Sequence, residues 1–173
     1  NQGQYYPDYA YRHPLFSPGM RIYSDSTVSK FLSSVKDEQI AGFLNDWNTD
    51  RDHKSRIYVS YDSTNKNCQA GDVDFVEFGK AKVDLGLPIF NVGLAMDQNN
   101  RIPLFYELYP GSINDVSQFK FMVDKAVGYG YKNIGFIIDR GYFCKANIRD
   151  MDEQNYGCVM MVQGCKPLVC DIS

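Results

Sequence analysis

Hydrophobic and polar positions change their spacing several times along the chain, and each change marks a predicted element. Residues 57–62 and 134–139 are short runs of β-branched, aromatic and other apolar residues, and each run ends in an aspartate. Such runs are typical of strands. Residues 90–97 and 102–108 are two further runs that flank the turn at 98–100, which is the pattern of a β-hairpin. The pattern predicts three consecutive antiparallel strands, followed later by a buried strand at 134–138.

Apolar residues at helical spacing predict three helices. The first covers residues 34–48 and begins with Ser34 in a sequence that resembles a capping box. The second begins after Asn114, a good N-cap, and ends at Gly128. The third runs from about Lys145 to Asn155, and a final strand is predicted at 158–162.

The resulting order, β-β-β-α-β-α-β, predicts an α/β fold with a mixed sheet and flanking helices, the layout of the ribonuclease H-like fold. Residues 1–50 are predicted to be an irregular lead-in and an amphipathic helix, and residues 51–173 the ribonuclease H-like core. Residues 63–67 are predicted to be a polar loop after the first strand, and residues 68–88 a long excursion with a short hairpin near Phe75 to Phe78. The chain starts without methionine and stops directly after apolar sequence, so we expect the core to be truncated at its C-terminus.

Composition narrows the class of protein. With 173 residues, of which 44% are hydrophobic, the chain can bury a substantial core. The formal charge of −3 gives no global basic field, so any nucleic-acid contact must be local. Five cysteines without a CxxC motif favour reduced thiols, and two histidines without partners at zinc spacing argue against a structural zinc site. No membrane span or signal peptide is visible, which predicts a soluble, intracellular protein.

Asp62 and Asp139 are the candidate catalytic and metal-binding residues, because this topology places the ends of their two strands side by side. Hard cations such as Mg²⁺ take oxygen ligands, so two carboxylates on rigid strands could hold a metal for phosphoryl chemistry. The structural alternative is that each aspartate caps a turn, since aspartate is common directly after strands. Asp97 and Asp115 are interpreted as structural residues, at a hairpin turn and a helix start. Tyr142 and Phe143 are interpreted as core.

Four segments in the same order resemble the catalytic domain of IS4-type bacterial insertion-sequence transposases. They are Tyr61-Asp62-Ser63-Thr64, the stretch from Leu87 to Asp97, a two-part segment made of 102–105 and 109–115, and Ile138-Asp139-Arg140-Gly141-Tyr142. The resemblance covers about residues 57–164. It implies a DDE transposase in which Asp62 is the first metal-binding carboxylate and Asp139 the second. The third acid of the family, a glutamate in a Tyr, Arg, Glu, Lys signature, does not occur in this chain, and neither Glu153 nor Asp171 fits it.

The resemblance further implies metal-dependent DNA strand cleavage and transfer with two Mg²⁺ or Mn²⁺ ions. The implied partner is double-stranded DNA, as transposon ends and target, with a homodimer in a synaptic complex. The implied location is the bacterial cytoplasm, at the nucleoid when DNA is bound. Thr64, Asn65, Lys66 and Arg140 are candidate phosphate contacts, and Lys80 and Lys82 form a local basic cluster near the site. The alternatives are an inactive transposase-derived remnant or interaction module, and a related ribonuclease H-like nuclease. With two of three acids, the chain alone is expected to be inactive.

Overall fold

The computed structural model describes residues 5–14, 19, 24–51, 55–71 and 73–160. The helices are α1 (Tyr6–Arg12), α2 (Asp25–Ser34), α3 (Asp37–Thr49), α4 (Asp115–Gly128) and α5 (Lys145–Glu153), and the strands are β1 (Ile57–Asn67), β2 (Ile89–Asp97), β3 (Ile102–Pro110), β4 (Ile134–Ile138) and β5 (Gly157–Met160). A 3₁₀ turn, Arg140–Tyr142, follows β4. The chain divides into two compact units, residues 1–46 and 47–173. The division predicted at residue 50 between lead-in and catalytic core stays a prediction.

The five strands form one mixed sheet in the order β3-β2-β1-β4-β5. β1 pairs antiparallel with β2, and β2 pairs antiparallel with β3. β4 runs parallel to both β1 and β5, and α4 and α5 make the two connections that parallel pairing requires. This is the predicted order, and the α/β fold class with its ribonuclease H-like layout is confirmed.

One face of the sheet packs beneath α4 and holds the core of the larger unit. Val59, Tyr61 and Phe136 are at most 1% exposed on this face. The ring of Phe119, on α4, meets that of Phe136 edge to face with centroids 5.7 Å apart. We call this the covered face.

The opposite face carries apolar side chains that stay partly in water. Leu94 on β2, Ile137 on β4 and Val159 on β5 are 40%, 38% and 61% exposed. Ile137 pairs with both Ser60 and Val159, and Leu94 pairs with Asp62, so these positions share one side of the pleat. We call this the open face. Among the described helices, none has the length and apolar character that crossing a membrane requires.

Several local predictions were wrong. Residues 63–67, predicted to be a polar loop, continue β1 to Asn67 and pair with β2. The lead-in contains helix α1, which the Tyr- and Pro-rich composition concealed. The predicted helix 34–48 is really the end of α2 and the whole of α3, because Ser34 is the last residue of α2. The start of α3 uses Gln39 instead, whose side chain accepts a hydrogen bond of 2.9 Å from the backbone N–H of Lys36. Within the described part of residues 68–88, a single bridge between Glu77 and Ile89 replaces the hairpin.

The middle of the chain agrees with the sequence. The hairpin β2–β3 forms as predicted, and Asp97 is buried at its turn, accepting hydrogen bonds from the backbone N–H groups of Asn99 and Asn100. Asn114 caps α4 by accepting from the N–H of Ser117 at 2.9 Å. The second half of the final strand, residues 161 and 162, lies outside the described residues.

Candidate active site

Pairing between β1 and β4 brings the two candidate aspartates to neighbouring positions. Tyr61 is in register with Ile138, the last residue of β4. The next residue on each strand is an aspartate, Asp62 within β1 and Asp139 directly after β4. Because neighbouring strands lie roughly 5 Å apart, the two backbones hold these residues side by side.

Both aspartates lie on the open-face side of the sheet. Buried and exposed residues alternate along β1, with Tyr61 and Ser63 buried and Asp62 and Thr64 exposed. Asp139 follows Ile137 by two residues, which continues the exposed side of β4. Asp139 is itself exposed. The carboxylates are therefore accessible to solvent and to a substrate.

A backbone N–H orients each carboxylate. Asp62 Oδ1 accepts from the N–H of Ser63 at 2.8 Å, and Asp139 Oδ1 accepts from the N–H of Arg140 at 2.7 Å. Asp139 also caps the 3₁₀ turn, so the structural role considered for it is real. Among the described residues, neither Oδ2 accepts a hydrogen bond, which leaves one oxygen of each aspartate available as a ligand.

The donor chemistry fits a hard divalent cation. Mg²⁺ is commonly held by one or two carboxylates and completes its octahedron with waters and substrate phosphates. Asp62 and Asp139 are the residues that would hold it. In the part of the chain that the structure describes, no three His, Cys, Asp or Glu side chains gather into a metal-binding group. The described site therefore offers two carboxylates and no third.

The four candidate phosphate contacts occupy different positions around the carboxylates. Thr64 and Lys66 follow Asp62 at intervals of two residues and are exposed as it is. Arg140 is exposed beside Asp139. Asn65 differs, because its amide accepts from the N–H of Lys82 and donates to the carbonyl of Lys80, both at 2.9 Å. Asn65 thus holds the segment 80–82 against β1, a role that the sequence did not indicate.

Sequence reasoning missed a cluster of buried tyrosines beneath the aspartates. The rings of Tyr61 and Tyr142 meet edge to face with centroids 5.5 Å apart. Both hydroxyl oxygens are buried and have no hydrogen-bond partner among the described residues. The third member, Tyr109, donates a hydrogen bond of 2.6 Å to Asp115 Oδ1. The alternation of β1 could have placed Tyr61 on the buried side, but its partners come from β3 and from the turn after β4.

Burial keeps these phenols protonated. Burial raises the pKa of Tyr142 well above its usual range, and the nearby Ser63 hydroxyl partly offsets this effect. The negative charges of Asp115, Asp62 and Asp139 raise the pKa further. Burial likewise raises the pKa of Tyr61 and of Tyr109, and for Tyr109 the hydrogen bond to Asp115 adds to the effect. At neutral pH the three hydroxyl groups therefore stay protonated, and each can donate a hydrogen bond. Asp115 lies in the first turn of α4, as predicted for a helix start. Tyr142 is buried, so its interpretation as core is confirmed.

No protein-family model matches the chain, and no curated protein matches its sequence. Among solved structures, the chain is similar to a complex of the Mos1 transposase with the left transposon end, at 15% identity and a TM-score of 0.40, over 81% of this chain and 51% of that one. It is also similar to a strand transfer complex of the Drosophila P element transposase, at 14% identity and a TM-score of 0.45, over 90% and 38% of the two chains.

A third structure, endonuclease V of Ciona intestinalis with inosine-containing DNA, is similar at 10% identity and a TM-score of 0.35, over 79% of this chain and 66% of that one. The chain spans about half the length of the Mos1 structure. At TM-scores below 0.5 these likenesses assign no role to any residue of this chain.

Proposed function

We propose that this chain is the catalytic core of an IS4-type DDE transposase, which cleaves and transfers DNA strands with the help of divalent metal ions. The observation that carries the proposal is the placement of Asp62 and Asp139 at neighbouring positions of β1 and β4, exposed and each with a free oxygen. These aspartates lie within the segments that resemble the family.

The proposed roles follow from position. Asp62 and Asp139 would hold two Mg²⁺ or Mn²⁺ ions, which supply activation of the attacking oxygen and stabilisation of the leaving oxygen. The N–H groups of Ser63 and Arg140 keep the carboxylates oriented. Thr64 and Lys66 lie further along the exposed side of β1 and Arg140 directly follows Asp139, and these three side chains are the proposed contacts to phosphate oxygens. Asn65 acts indirectly by positioning the lysine-bearing segment.

The open face determines where a third acid can approach. Asp62 and Asp139 project on this face, while α4 occupies the other. In the family that the sequence resembles, the third acid is a glutamate on a helix after the last of these strands. A helix that brings this glutamate to the two aspartates has to lie on the open face, where it would also bury Ile137 and Leu94.

The proposed partner is double-stranded DNA, both the transposon ends and the target, and the protein would act as a homodimer in the synaptic complex. The proposed location is the bacterial cytoplasm, at the nucleoid when DNA is bound. DNA contact depends on local groups, because the net charge is −3 and the lysines and arginines are balanced by acids.

The decisive experiment is strand cleavage by the full reading frame with Asp62→Asn or Asp139→Asn. The amide keeps the shape of the side chain and loses the charge that holds a cation. We expect cleavage to fall by several orders of magnitude, each factor of ten corresponding to about 1.4 kcal/mol of barrier, with DNA binding nearly unchanged. Asp150→Asn, at an exposed acid of α5, is the matched control. Normal cleavage by Asp62→Asn would refute the proposal.

Metal binding by the chain itself gives a second test. With two carboxylates, the 173-residue chain should bind Mn²⁺ weakly, and Asp62→Asn should weaken this binding further. Electron paramagnetic resonance of free Mn²⁺ measures both. Tight stoichiometric binding without DNA would reveal a further ligand, and unchanged binding in the variant would place the cation elsewhere.

One observation favours a second function, an inactive remnant or interaction module. The described residues contain two acids at the site and no third. The two functions differ in the full reading frame, where a helix with Tyr, Arg, Glu and Lys at family spacing supports the enzyme. The 173-residue chain should not cut DNA under either function. Cleavage by the chain that Asp62→Asn abolishes would return Asp171 to consideration as the third acid. If the full protein cuts RNA in hybrids instead of transposon ends, it is a related ribonuclease H-like nuclease.

A further inference from the structure

A groove with a volume of about 640 Å³ lies where β1 extends past the end of β4. One wall is the β1 segment 63–65, directly after Asp62, and another is the segment 78–82. The start of α4 and Gly141, two residues after Asp139, complete the lining. The lining includes the residues that directly follow Asp62 but neither aspartate. Because the start of α4 belongs to it, the groove lies on the covered side of the sheet, whereas the two carboxylates project on the open face.

Two glycines bring backbone segments close together at this groove. A Cβ on Gly79 would overlap the carbonyl of Gly111, and a Cβ on Gly111 would overlap the carbonyls of Ile89 and Glu77. Glu77 and Ile89 pair through reciprocal backbone hydrogen bonds of 2.9 and 2.8 Å. The segment that leads into residue 78 is thereby fixed to the edge of β2 instead of being a free loop.

The segment 78–82 presents one aromatic ring and two cations. Phe78 is 70% exposed, and Lys80 and Lys82 are also exposed. The ammonium group of Lys82 donates to the carbonyl of Ser63 at 2.9 Å, which leaves two of its three hydrogens for other acceptors. Neither lysine forms an ion pair among the described residues. Asp115 also lines the groove, but its Oδ1 accepts the Tyr109 hydrogen bond.

We propose that this groove binds an unpaired segment of DNA, an inference that rests on the proposed function. Lys80 and Lys82 contact phosphates, and Phe78 stacks on a base. Aromatic side chains beside cations are the usual means of binding single strands, because every unpaired base offers a face for stacking. In a duplex that face is covered by the neighbouring bases. The hydrogen bonds of Asn65 hold the lysine backbone in place before DNA arrives.

The test measures binding of the chain to a fluorescein-labelled oligodeoxythymidine of about 12 nucleotides and to a duplex of the same length. We expect Phe78→Ala to weaken single-strand binding about tenfold and to change duplex binding less than twofold. Phe121→Ala, at a phenylalanine of α4 that is 63% exposed and away from the groove, is the matched control and should change neither.

Lys80→Gln tests the phosphate contact through the salt dependence. Losing one phosphate contact should reduce the slope of log affinity against log salt by about 0.7 for a single strand. Lys132→Gln, an exposed lysine before β4, is the control and should keep the slope. Lys80 is preferred to Lys82, whose ammonium also contacts Ser63. Thermal unfolding verifies that each variant is folded.

The inference is overturned if the wild-type chain binds no oligodeoxythymidine at low salt, or if Phe78→Ala weakens single-strand binding no more than Phe121→Ala does. It is also overturned if Phe78→Ala weakens duplex binding as much as single-strand binding. These results leave the cleavage test of Asp62 and Asp139 standing. If groove variants behave as expected and Asp62→Asn cuts normally, the groove binds single strands and the proposed function fails.

Discussion

The two faces of the sheet differ in what their apolar side chains do. On the covered face, Val59 and Phe136 are completely buried beneath α4. On the open face, Ile137, the residue after Phe136, keeps 38% of its surface in water. Burial of apolar surface is the main stabilising term in folding, so the covered face carries most of the stability of the larger unit. The exposed aspartates lie on the other side, where access to solvent and substrate is retained.

Truncating neighbours on β4 gives the largest contrast between the faces. Phe136→Ala should lower the free energy of unfolding by about 3–5 kcal/mol, because it leaves a cavity against Phe119. Ile137→Ala should cost less than about 1.5 kcal/mol, since the side chain is partly in water already. Urea denaturation of both variants measures the difference. Equal losses would mean that the open face is as well packed as the covered one.

Alkaline pH should destabilise the larger unit through the buried Tyr131. Burial raises the pKa of Tyr131 to about 12, and its hydroxyl donates to Asn48 Oδ1 at 2.8 Å. Because the folded pKa lies above the unfolded value of about 10, the stabilisation is complete below pH 10 and is lost between pH 10 and 12. The free energy of unfolding should fall by about 2–3 kcal/mol for this residue alone. Tyr131→Phe should show a shallower decline, and an identical decline would contradict the assignment.

Gly93 tests how tightly Tyr61 is accommodated. A Cβ at residue 93 would overlap the ring and hydroxyl of Tyr61. Gly93→Ala should therefore destabilise by about 1–3 kcal/mol, the usual cost of overpacking. Gly128→Ala, at the end of α4 with no atom within 4 Å of the added Cβ, should be neutral or slightly stabilising. Thermal unfolding of the two variants measures the difference in stability. If Gly93→Ala leaves stability unchanged, the Tyr61 side chain can move to make room for the added Cβ.

The smallest effects are expected from removing single hydroxyl groups. Tyr142→Phe should be neutral or stabilise by up to about 1 kcal/mol, because the lost hydroxyl is buried without a partner. Tyr109→Phe should instead destabilise by about 1 kcal/mol, since it breaks the hydrogen bond to Asp115. Denaturant titration distinguishes the two signs. If Tyr142→Phe is the more destabilising change, its hydroxyl has a partner, such as an ordered water.

Local signals explain what could be predicted from the sequence. The hairpin turn at 98–100 and the Asn114 cap act within a few residues, so β2, β3 and α4 were located correctly. β1 was predicted to end at Asp62 because its second half is polar, but it continues to Asn67. The start of α2 also had a local signal, Ser24, whose side chain accepts from the N–H of Thr27 at 3.3 Å. The position of Asp62 beside Asp139 followed from topology, which their order along the chain constrains.

The rest depends on contacts distant in sequence. β4 reads Ile-Gly-Phe-Ile-Ile, apolar on both sides, so its composition cannot distinguish the covered face from the open one. The groove requires Gly79 to meet Gly111, 32 positions further along the chain, and periodicity does not report such an approach. The tyrosine cluster likewise joins residues of β1, β3 and the turn after β4.

β1 fixes the distance between two positions of the larger unit. The same strand carries Asp62 and, three residues later, Asn65, which holds the segment 80–82. At about 3.3 Å per residue, the backbone separates these two positions by roughly 10 Å. This spacing is set by covalent geometry, so it changes only in whole residues. A one-residue insertion between them would also turn one of the two side chains to the opposite side of the sheet, so this stretch of β1 cannot change in length without moving one of the two groups.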